Sequence, residues 1–222
     1  MCGRFSLITD VYALMRQYQF EFDGEFEPRY NIAPGTDIMA IACNGGKRVG
    51  GELRWGLIPF WADNEKVGYK MINARAETVH EKASFRNPLK SKRCLIPADG
   101  YFEWKREGKA KRPFRFINKD NSPFMFAGLY DVWDKGGTPI FSCTIITTAA
   151  NEKTAEIHDR MPAILTPDEQ DVWLDPAMSD TIALTSLLKP YPSEKIDFYE
   201  VSTLVNSARN ENREIIAPLN SK

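Results

Sequence analysis

The sequence has no run of about 20 apolar residues, the length that a membrane-spanning helix needs, and no charged-then-apolar secretory signal at its start. These absences predict a cytoplasmic protein without a membrane partner. An excess of one charge is also missing, because 29 Lys and Arg are balanced by 30 Asp and Glu. Any nucleic-acid site must therefore be a local patch of the surface.

Residues that bind metals are scarce. The sequence has two histidines and four cysteines, with no CxxC pair and no short ligand spacing. We therefore expect neither a metal nor another cofactor, and we expect the thiols to be reduced. Three cysteines lie inside apolar runs, where core packing is the expected role; these are Cys43, Cys94 and Cys143.

The composition that is present is that of a globular protein, with 43% hydrophobic and 27% charged residues among 222. No repeat, low-complexity tract or linker divides the chain. We therefore predict one domain over residues 1–222, in which 207–222 form a partly docked tail.

Strand-like segments separated by turn signals dominate the chain, and helical patterns are fewer. The predicted strands are 37–43, 47–55, 100–105, 113–117, 124–133, 140–147 and 195–201. The predicted helices are 10–18, 166–173 and 180–188, with shorter ones after Asn73–Glu77 and from Asn151. The fold class is therefore α+β, mainly antiparallel β with a few short helices.

Cys2 is the first candidate for chemistry. Removal of Met1, which needs a small second residue, would leave a free amine beside the thiol of Cys2. Their ordinary pKa values are about 7.7–8.0 and about 8.5. The amine can condense with an aldehyde to an imine, and the thiolate can then close a five-membered ring. The alternative is a small inert residue at the start of a buried strand over 3–6.

Three further polar residues stand in unusual surroundings. Glu103 lies within the aromatic segment 100–104, where burial would raise its pKa and suit a general acid or base; an exposed edge glutamate is the alternative. His158 lies in a loop before Pro162, although a lone histidine is more often structural. Asn73 precedes a predicted helix, at a corner suited to an anion or a carbonyl.

Candidates for a nucleic-acid patch lie in turn-rich or apolar segments. Asn31 and Pro34 belong to a predicted turn, and Trp55 opens an aromatic, proline-containing loop on which bases can stack, with core packing as the alternative for the tryptophan. The candidate phosphate-binding residues, each with an isolated surface charge as its alternative, are Arg4, Arg54, Arg75, Arg86 and Arg160.

Taken together, the motifs resemble those of the SOS response-associated peptidase (SRAP) family. In order they are MCGR at 1–4, YNIAP at 30–34, RWGLIP at 54–59, NARAE at 73–77, GYFEW at 100–104 and HDRMP at 158–162. The resemblance implies a sensor of abasic sites in single-stranded DNA, acting in the DNA damage response. It also implies a covalent thiazolidine crosslink that shields the lesion, and self-removal of the residue before the cysteine.

The resemblance assigns roles to residues of this sequence. Cys2 matches the family's nucleophile, and Asn73 matches the residue that senses and positions the abasic sugar. Glu103 and His158 match residues that help to form and stabilise the linkage, through proton transfer in lyase-like Schiff-base chemistry that is stoichiometric. The arginines that would hold flanking phosphates are Arg4, Arg75 and Arg160. A monomer is expected, associated with the nucleoid when bound to damaged DNA.

Two other functions remain open at this stage. The first is an N-terminal-nucleophile amidohydrolase or peptidase acting without DNA, in which the Cys2 thiolate attacks an amide and Asn73 contributes to an oxyanion site. The second is a non-enzymatic module that binds single strands through stacked tryptophans and arginine–phosphate contacts.

Overall fold

The computed structural model describes residues 2–219. The strands are β1 (Phe5–Leu7), β2 (Arg29–Ile32), β3 (Asp37–Asn44), β4 (Lys47–Trp55), β5 (Asn73–Arg75), β6 (Arg93–Ala98), β7 (Gly100–Glu107), β8 (Ala110–Asn118), β9 (Phe124–Trp133), β10 (Ile140–Ala149), β11 (Arg160–Pro162) and β12 (Ile196–Glu200). The α-helices are α1 (Val11–Tyr18), α2 (Arg86–Ser91), α3 (Glu152–Ala155), α4 (Pro167–Leu174) and α5 (Thr181–Ser186). No helix within these described residues is long and apolar enough to cross a membrane.

The strands form two sheets. The first has the order β12-β8-β7-β1-β2 and is antiparallel throughout. In the second, β10 pairs with both β4 and β9, so β10-β4-β3-β6-β9 closes into a small barrel, and β5 and β11 pair with the remaining length of β10. Only the β10–β4 and β10–β5 pairings are parallel among the described strands. The predicted α+β, mainly antiparallel, single-domain fold is confirmed.

Local sequence signals account for the element boundaries. The strands β3 and β4 form a hairpin across Gly45 and Gly46, whose φ angles of +58° and +82° are those of a type I′ turn. The Asp10 side chain accepts the Ala13 N–H and begins α1. Thr166 forms a capping box with Glu169 at the start of α4.

One local prediction is wrong. The residues after Asn73–Glu77 do not form a helix; residues 76–85 form successive turns that include His80, and α2 begins only at Arg86. Asn73 itself lies on the short strand β5, because pairing with β10 supplies the backbone hydrogen bonds that a helix would otherwise provide. A helix N-terminus therefore does not contribute to the Asn73 corner.

The main core lies where the two sheets meet. Phe5 of β1 contacts the Trp55 ring at a centroid distance of 5.2 Å, and Tyr101 of β7 stacks on Phe116 at 4.7 Å. All four side chains are essentially buried. Burial of these large rings in the middle of the fold fixes β1 against β7, and thereby fixes the path of the N-terminal residues.

The C-terminal segment, residues 201–219, packs on the outer side of the first sheet. A small second core contains Phe102 of β7 with Val201, Val205 and Ile215. The buried Asn31 amide donates hydrogen bonds to the Ser207 and Asn210 carbonyls, 2.9 Å each. Residues 207–219 are thus docked, and residues 220–222 of the expected tail lie outside the described residues.

Candidate active site

Cys2 lies three residues before the start of β1 and is fully buried. The Phe102 N–H donates to the Arg4 carbonyl at 2.9 Å, so the residues before β1 continue antiparallel to β7. This path brings Cys2 close to Glu103. Burial raises the pKa of the Cys2 thiol, and the negative charge of Glu103 raises it further. The thiol is therefore protonated at neutral pH.

Glu103 is 2% exposed, although it lies only three residues before the exposed end of β7. Burial raises the pKa of its carboxyl group from 4.5 to about 7. Near neutral pH the carboxyl group is thus protonated in some molecules and ionised in the others. A group that both donates and accepts protons needs this mixture.

His158 follows α3 and reaches the same place from the second sheet. Its Nε2 atom lies 3.8 Å from Glu103 Oε2, and its Nδ1 atom accepts the Arg160 N–H at 3.0 Å. Because Nδ1 accepts, the neutral ring carries its proton on Nε2, on the side of Glu103. Burial lowers the pKa of His158, which favours this neutral form.

Asn73 is aligned with this pair through β10. The strand β5 pairs with β10 from Ile145 onward, and β11, which begins two residues after His158, pairs with the end of β10. The Asn73 Nδ2 atom donates to the Ile145 carbonyl at 3.4 Å. Its Oδ1 atom is buried and, within residues 2–219, accepts no hydrogen bond. A ligand hydroxyl or N–H group would satisfy this oxygen.

The candidate arginines differ in their availability. Arg160 binds the Glu77 carboxylate through both terminal nitrogens, at 2.5 and 3.0 Å, and donates to the Thr147 carbonyl. Arg75 of β5 and Arg86 at the start of α2 are exposed, and neither has an ion pair in the described part of the chain. Arg75 and Arg86 are therefore free to bind phosphate, whereas at Arg160 a phosphate must compete with Glu77.

Arg4 and Asn31 form one buried link. The Arg4 Nη1 atom donates to Asn31 Oδ1 at 2.8 Å and to the Val205 carbonyl at 2.7 Å. Asn31 is 1% exposed, so its side chain cannot contact DNA, and its predicted role as a DNA ligand is wrong. Its amide instead joins Arg4 to the C-terminal segment.

The stacking role predicted for Trp55 is also wrong. Its ring is fully buried, and its Nε1 atom donates to the Ile72 carbonyl at 2.9 Å, so the core-packing alternative holds. The same loop exposes Phe60 and Trp61, which are 50% and 45% accessible. Pro34 is half-buried in its predicted turn.

A cleft of about 360 Å³ opens beside the Glu103–His158 pair, within the size range of ligand sites. Sequence reasoning missed the residues that complete its wall, which are Trp104, Arg106, Lys111 and Asn206. The Trp104 Nε1 atom donates to Asn206 Oδ1 at 2.7 Å, which couples β7 to the C-terminal segment. The basic β7–β8 turn is visible in the sequence, but the contact with Asn206 has no local signal.

These groups define a class of site. The buried Cys2 thiol lies close to Glu103, whose pKa is about 7, and Glu103 and the His158 imidazole line an open cleft. A cysteine nucleophile with an acid and a base beside it requires such an arrangement. Within residues 2–219, no group of three or more His, Cys, Asp and Glu side chains is arranged to hold a metal ion.

Comparison with known proteins identifies the family. The model of the family described as SOS response associated peptidase (SRAP) matches residues 1–208, so the chain belongs to this family. The abasic site processing protein YoqW of Bacillus subtilis is 51% identical over 221 residues, covering 97% of this chain and 99% of YoqW. The abasic site processing protein HMCES of Gallus gallus is 35% identical over 264 residues, covering 99% of this chain and 78% of that protein.

Solved structures agree with the fold. A Bacteroides thetaiotaomicron protein superposes with a TM-score of 0.89 at 33% identity, covering 98% of this chain and 99% of that one. A Bordetella bronchiseptica protein superposes with a TM-score of 0.78 at 26% identity, covering 90% of this chain and all of that one. The family resemblance predicted from the six motifs is confirmed.

Proposed function

We propose that this protein senses abasic sites in single-stranded DNA and shields them through a covalent crosslink to Cys2, after Met1 has been removed. The observation that carries the proposal is the position of the Cys2 thiol beside the Glu103–His158 pair. The names of the relatives support it, because YoqW and HMCES are both called abasic site processing proteins.

The proposed chemistry uses both nucleophiles of a terminal cysteine. The Cys2 amine attacks the C1′ aldehyde of the ring-opened sugar, and the carbinolamine loses water to give an imine. The thiol then adds to the imine carbon; its proton ends on the nitrogen, and a five-membered thiazolidine results. No oxidant or reductant is needed. Loss of the imine prevents β-elimination of the 3′ phosphate, so the DNA strand stays intact.

Glu103 is suited to the proton transfers of this sequence. In its neutral form it protonates the departing hydroxyl of the carbinolamine, and as a carboxylate it accepts the thiol proton. A pKa of about 7 makes both forms available without a large cost. The adjacent negative charge also opposes early ionisation of Cys2, so the amine reacts first.

His158 and Asn73 act on the sugar. In this proposal the Nε2–H group of neutral His158 donates to the sugar ring oxygen, which assists ring opening and, in reverse, ring closure. The buried Asn73 Oδ1 atom, which accepts no hydrogen bond from the rest of residues 2–219, is suited to a sugar hydroxyl. A nucleotide that still carries its base cannot open to a sugar with a free hydroxyl group and an aldehyde. This difference supports recognition of the lesion.

Met1 removal is the first step that this function requires. With Met1 attached, the Cys2 nitrogen is an amide and cannot form an imine. We propose that the protein also cleaves this bond itself, with Glu103 and His158 as acid and base, in agreement with the peptidase description of the family. We further propose a cytoplasmic monomer that associates with the nucleoid at damaged DNA.

The test combines a denaturing gel with intact-mass analysis. Purified protein is incubated with a single-stranded oligonucleotide that contains one abasic site, and with the same oligonucleotide without the lesion. We expect a mature chain that lacks Met1 and a stoichiometric, denaturation-resistant adduct with the abasic strand, at the summed mass minus one water. No adduct with the abasic strand would overturn the proposal.

Variants of Cys2 separate the three candidate functions. If the crosslinking mechanism holds, Cys2→Ala forms no adduct. Cys2→Ser forms only a small fraction of the stable ring adduct. A single-strand binding module would lose no function in Cys2→Ala. A DNA-independent amidohydrolase would turn over peptide substrates and form no adduct, and this result also would contradict the proposal.

A further inference from the structure

Two cations face one another beside the reactive cleft. Arg106 of β7 and Lys111 of β8 are register partners in the antiparallel hairpin, and both side chains line the cleft with Glu103 and His158. Directly opposed residues have Cβ atoms about 4.5–5.5 Å apart, and like charges in such a pair are destabilising. The folded chain therefore carries a repulsive pair at the edge of its proposed active site.

Two carboxylates close to this pair are bound to a third cation. Glu107 and Glu200 both bind Arg112, at 3.2 and 2.7 Å, on the other face of the hairpin. Neither Arg106 nor Lys111 has an ion pair within the described residues, and both are exposed. The positive charge of Arg106 also reaches into the cleft, because it contributes to the lowered pKa of His158.

We propose that Arg106 and Lys111 bind one backbone phosphate of the DNA strand that carries the lesion, on the His158 side of the cleft. A phosphodiester has one negative charge and oxygens suited to the planar Arg fork and the Lys ammonium group. Its binding removes the repulsion between the two cations. The role is positioning of the strand, and it rests on the proposed function.

The test uses a single-stranded oligonucleotide with a tetrahydrofuran in place of the abasic sugar, which has no aldehyde and binds without crosslinking. The variant is Arg106→Gln with Lys111→Gln. We expect roughly tenfold weaker binding at low salt. We also expect the slope of log affinity against log salt to shrink by about 0.7, the value for one phosphate contact on a single strand.

A matched control removes the same charge elsewhere. Lys119 and Lys195 lie at the opposite end of β8 and β12, in a different cleft. Lys119→Gln with Lys195→Gln should bind as the wild type does. An equal loss in this control, or an unchanged affinity and slope in the Arg106 and Lys111 variant, would overturn the proposal. The double variant Arg106→Lys with Lys111→Arg keeps both charges and should retain most of the wild-type binding.

Thermal unfolding without DNA adds a readout that a structural role would not give. Because like charges oppose each other, Arg106→Gln with Lys111→Gln should unfold at the wild-type temperature or above it. A lower unfolding temperature together with weaker binding would assign the pair a structural role and overturn the proposal. Failure of the wild type to crosslink the aldehyde-containing strand would instead contradict the proposed function, and tetrahydrofuran binding would still test the cation pair.

Discussion

The imidazole Nε2 of His158 lies 3.8 Å from the Oε2 atom of Glu103, and burial moves the pKa values of the two groups in opposite directions. The pKa of the carboxyl group rises to about 7, while the pKa of the imidazole falls below its ordinary value of 6.5. At neutral pH the acid of the site is thus the glutamic acid and the imidazole is neutral, the reverse of the order that the free amino acids have.

The pH profile of crosslinking should report Glu103. The rate should rise as the terminal amine loses its proton near pH 8 and fall as Glu103 ionises near pH 7, which gives a bell-shaped profile with its maximum between these values. Glu103→Gln should slow the reaction by roughly 10²-fold or more at pH 7 and lose the descending limb. Quenched time courses on denaturing gels measure both effects, and an unchanged profile in the variant would remove the assigned role.

The stability of Glu103→Gln should depend on pH. A buried acid whose pKa is raised binds more protons when folded than when unfolded, so wild-type stability falls as pH rises from about 4.5 to about 7. Glutamine does not ionise, so the variant does not lose stability in this pH range. We expect similar unfolding temperatures at pH 5 and a higher one for the variant at pH 8, measured by calorimetry. An equal difference at both pH values would contradict the raised pKa.

Asn31→Ala should loosen the C-terminal segment. The substitution removes an amide that donates to two carbonyls of this segment and accepts from Arg4, so three hydrogen bonds are lost. We expect a loss of about 2–3 kcal/mol in the free energy of unfolding. Limited proteolysis should cut after residue 201 faster than in the wild type. Asn44→Ala, at an exposed position, is the control, and equal effects would refute the proposed link.

The two tryptophans of the aromatic loop should respond differently. Trp55→Ala should cost about 3–5 kcal/mol in unfolding free energy, because it empties a fully buried site. Trp61→Ala should change stability by less than about 0.5 kcal/mol, since the ring is 45% exposed. It should weaken binding to single strands by about 1–3 kcal/mol through loss of base stacking, in fluorescence titrations. Unaltered binding would exclude Trp61 from the DNA interface.

Local signals in the sequence predicted the strands and the capped helices well. The Gly45-Gly46 turn and the Thr166 capping box act within a few residues, so their geometry follows from residue type. The error near Asn73 has a tertiary component. The strand Asn73–Arg75 pairs with β10, about 70 residues away in sequence, and this contact places Asn73 on a strand, while residues 76–85 form turns that no local signal marks.

The site shows the same division between local and distant information. The motifs singled out Cys2, Glu103 and His158, but the sequence alone could not give their proximity, which depends on β1 pairing with β7 and on the α3–β11 loop. Trp55 and Asn31 were assigned to DNA because motif membership does not separate a ligand-binding residue from a buried one. Arg106 and Lys111 could have been paired by counting outward from the Gly108-Lys109 turn.

Burial of Cys2 also sets a time limit during synthesis. The register partner of Phe5 in β7 is Tyr101, which follows it by 96 positions and leaves the ribosome later by about 5–20 s at roughly 5–20 residues per second. During that interval β7 does not yet enclose Cys2, and an external aminopeptidase can reach the bond that precedes it. After β7 docks, Cys2 is fully buried. Burial of Cys2 therefore leaves an external aminopeptidase a window during synthesis, before β7 encloses the residue.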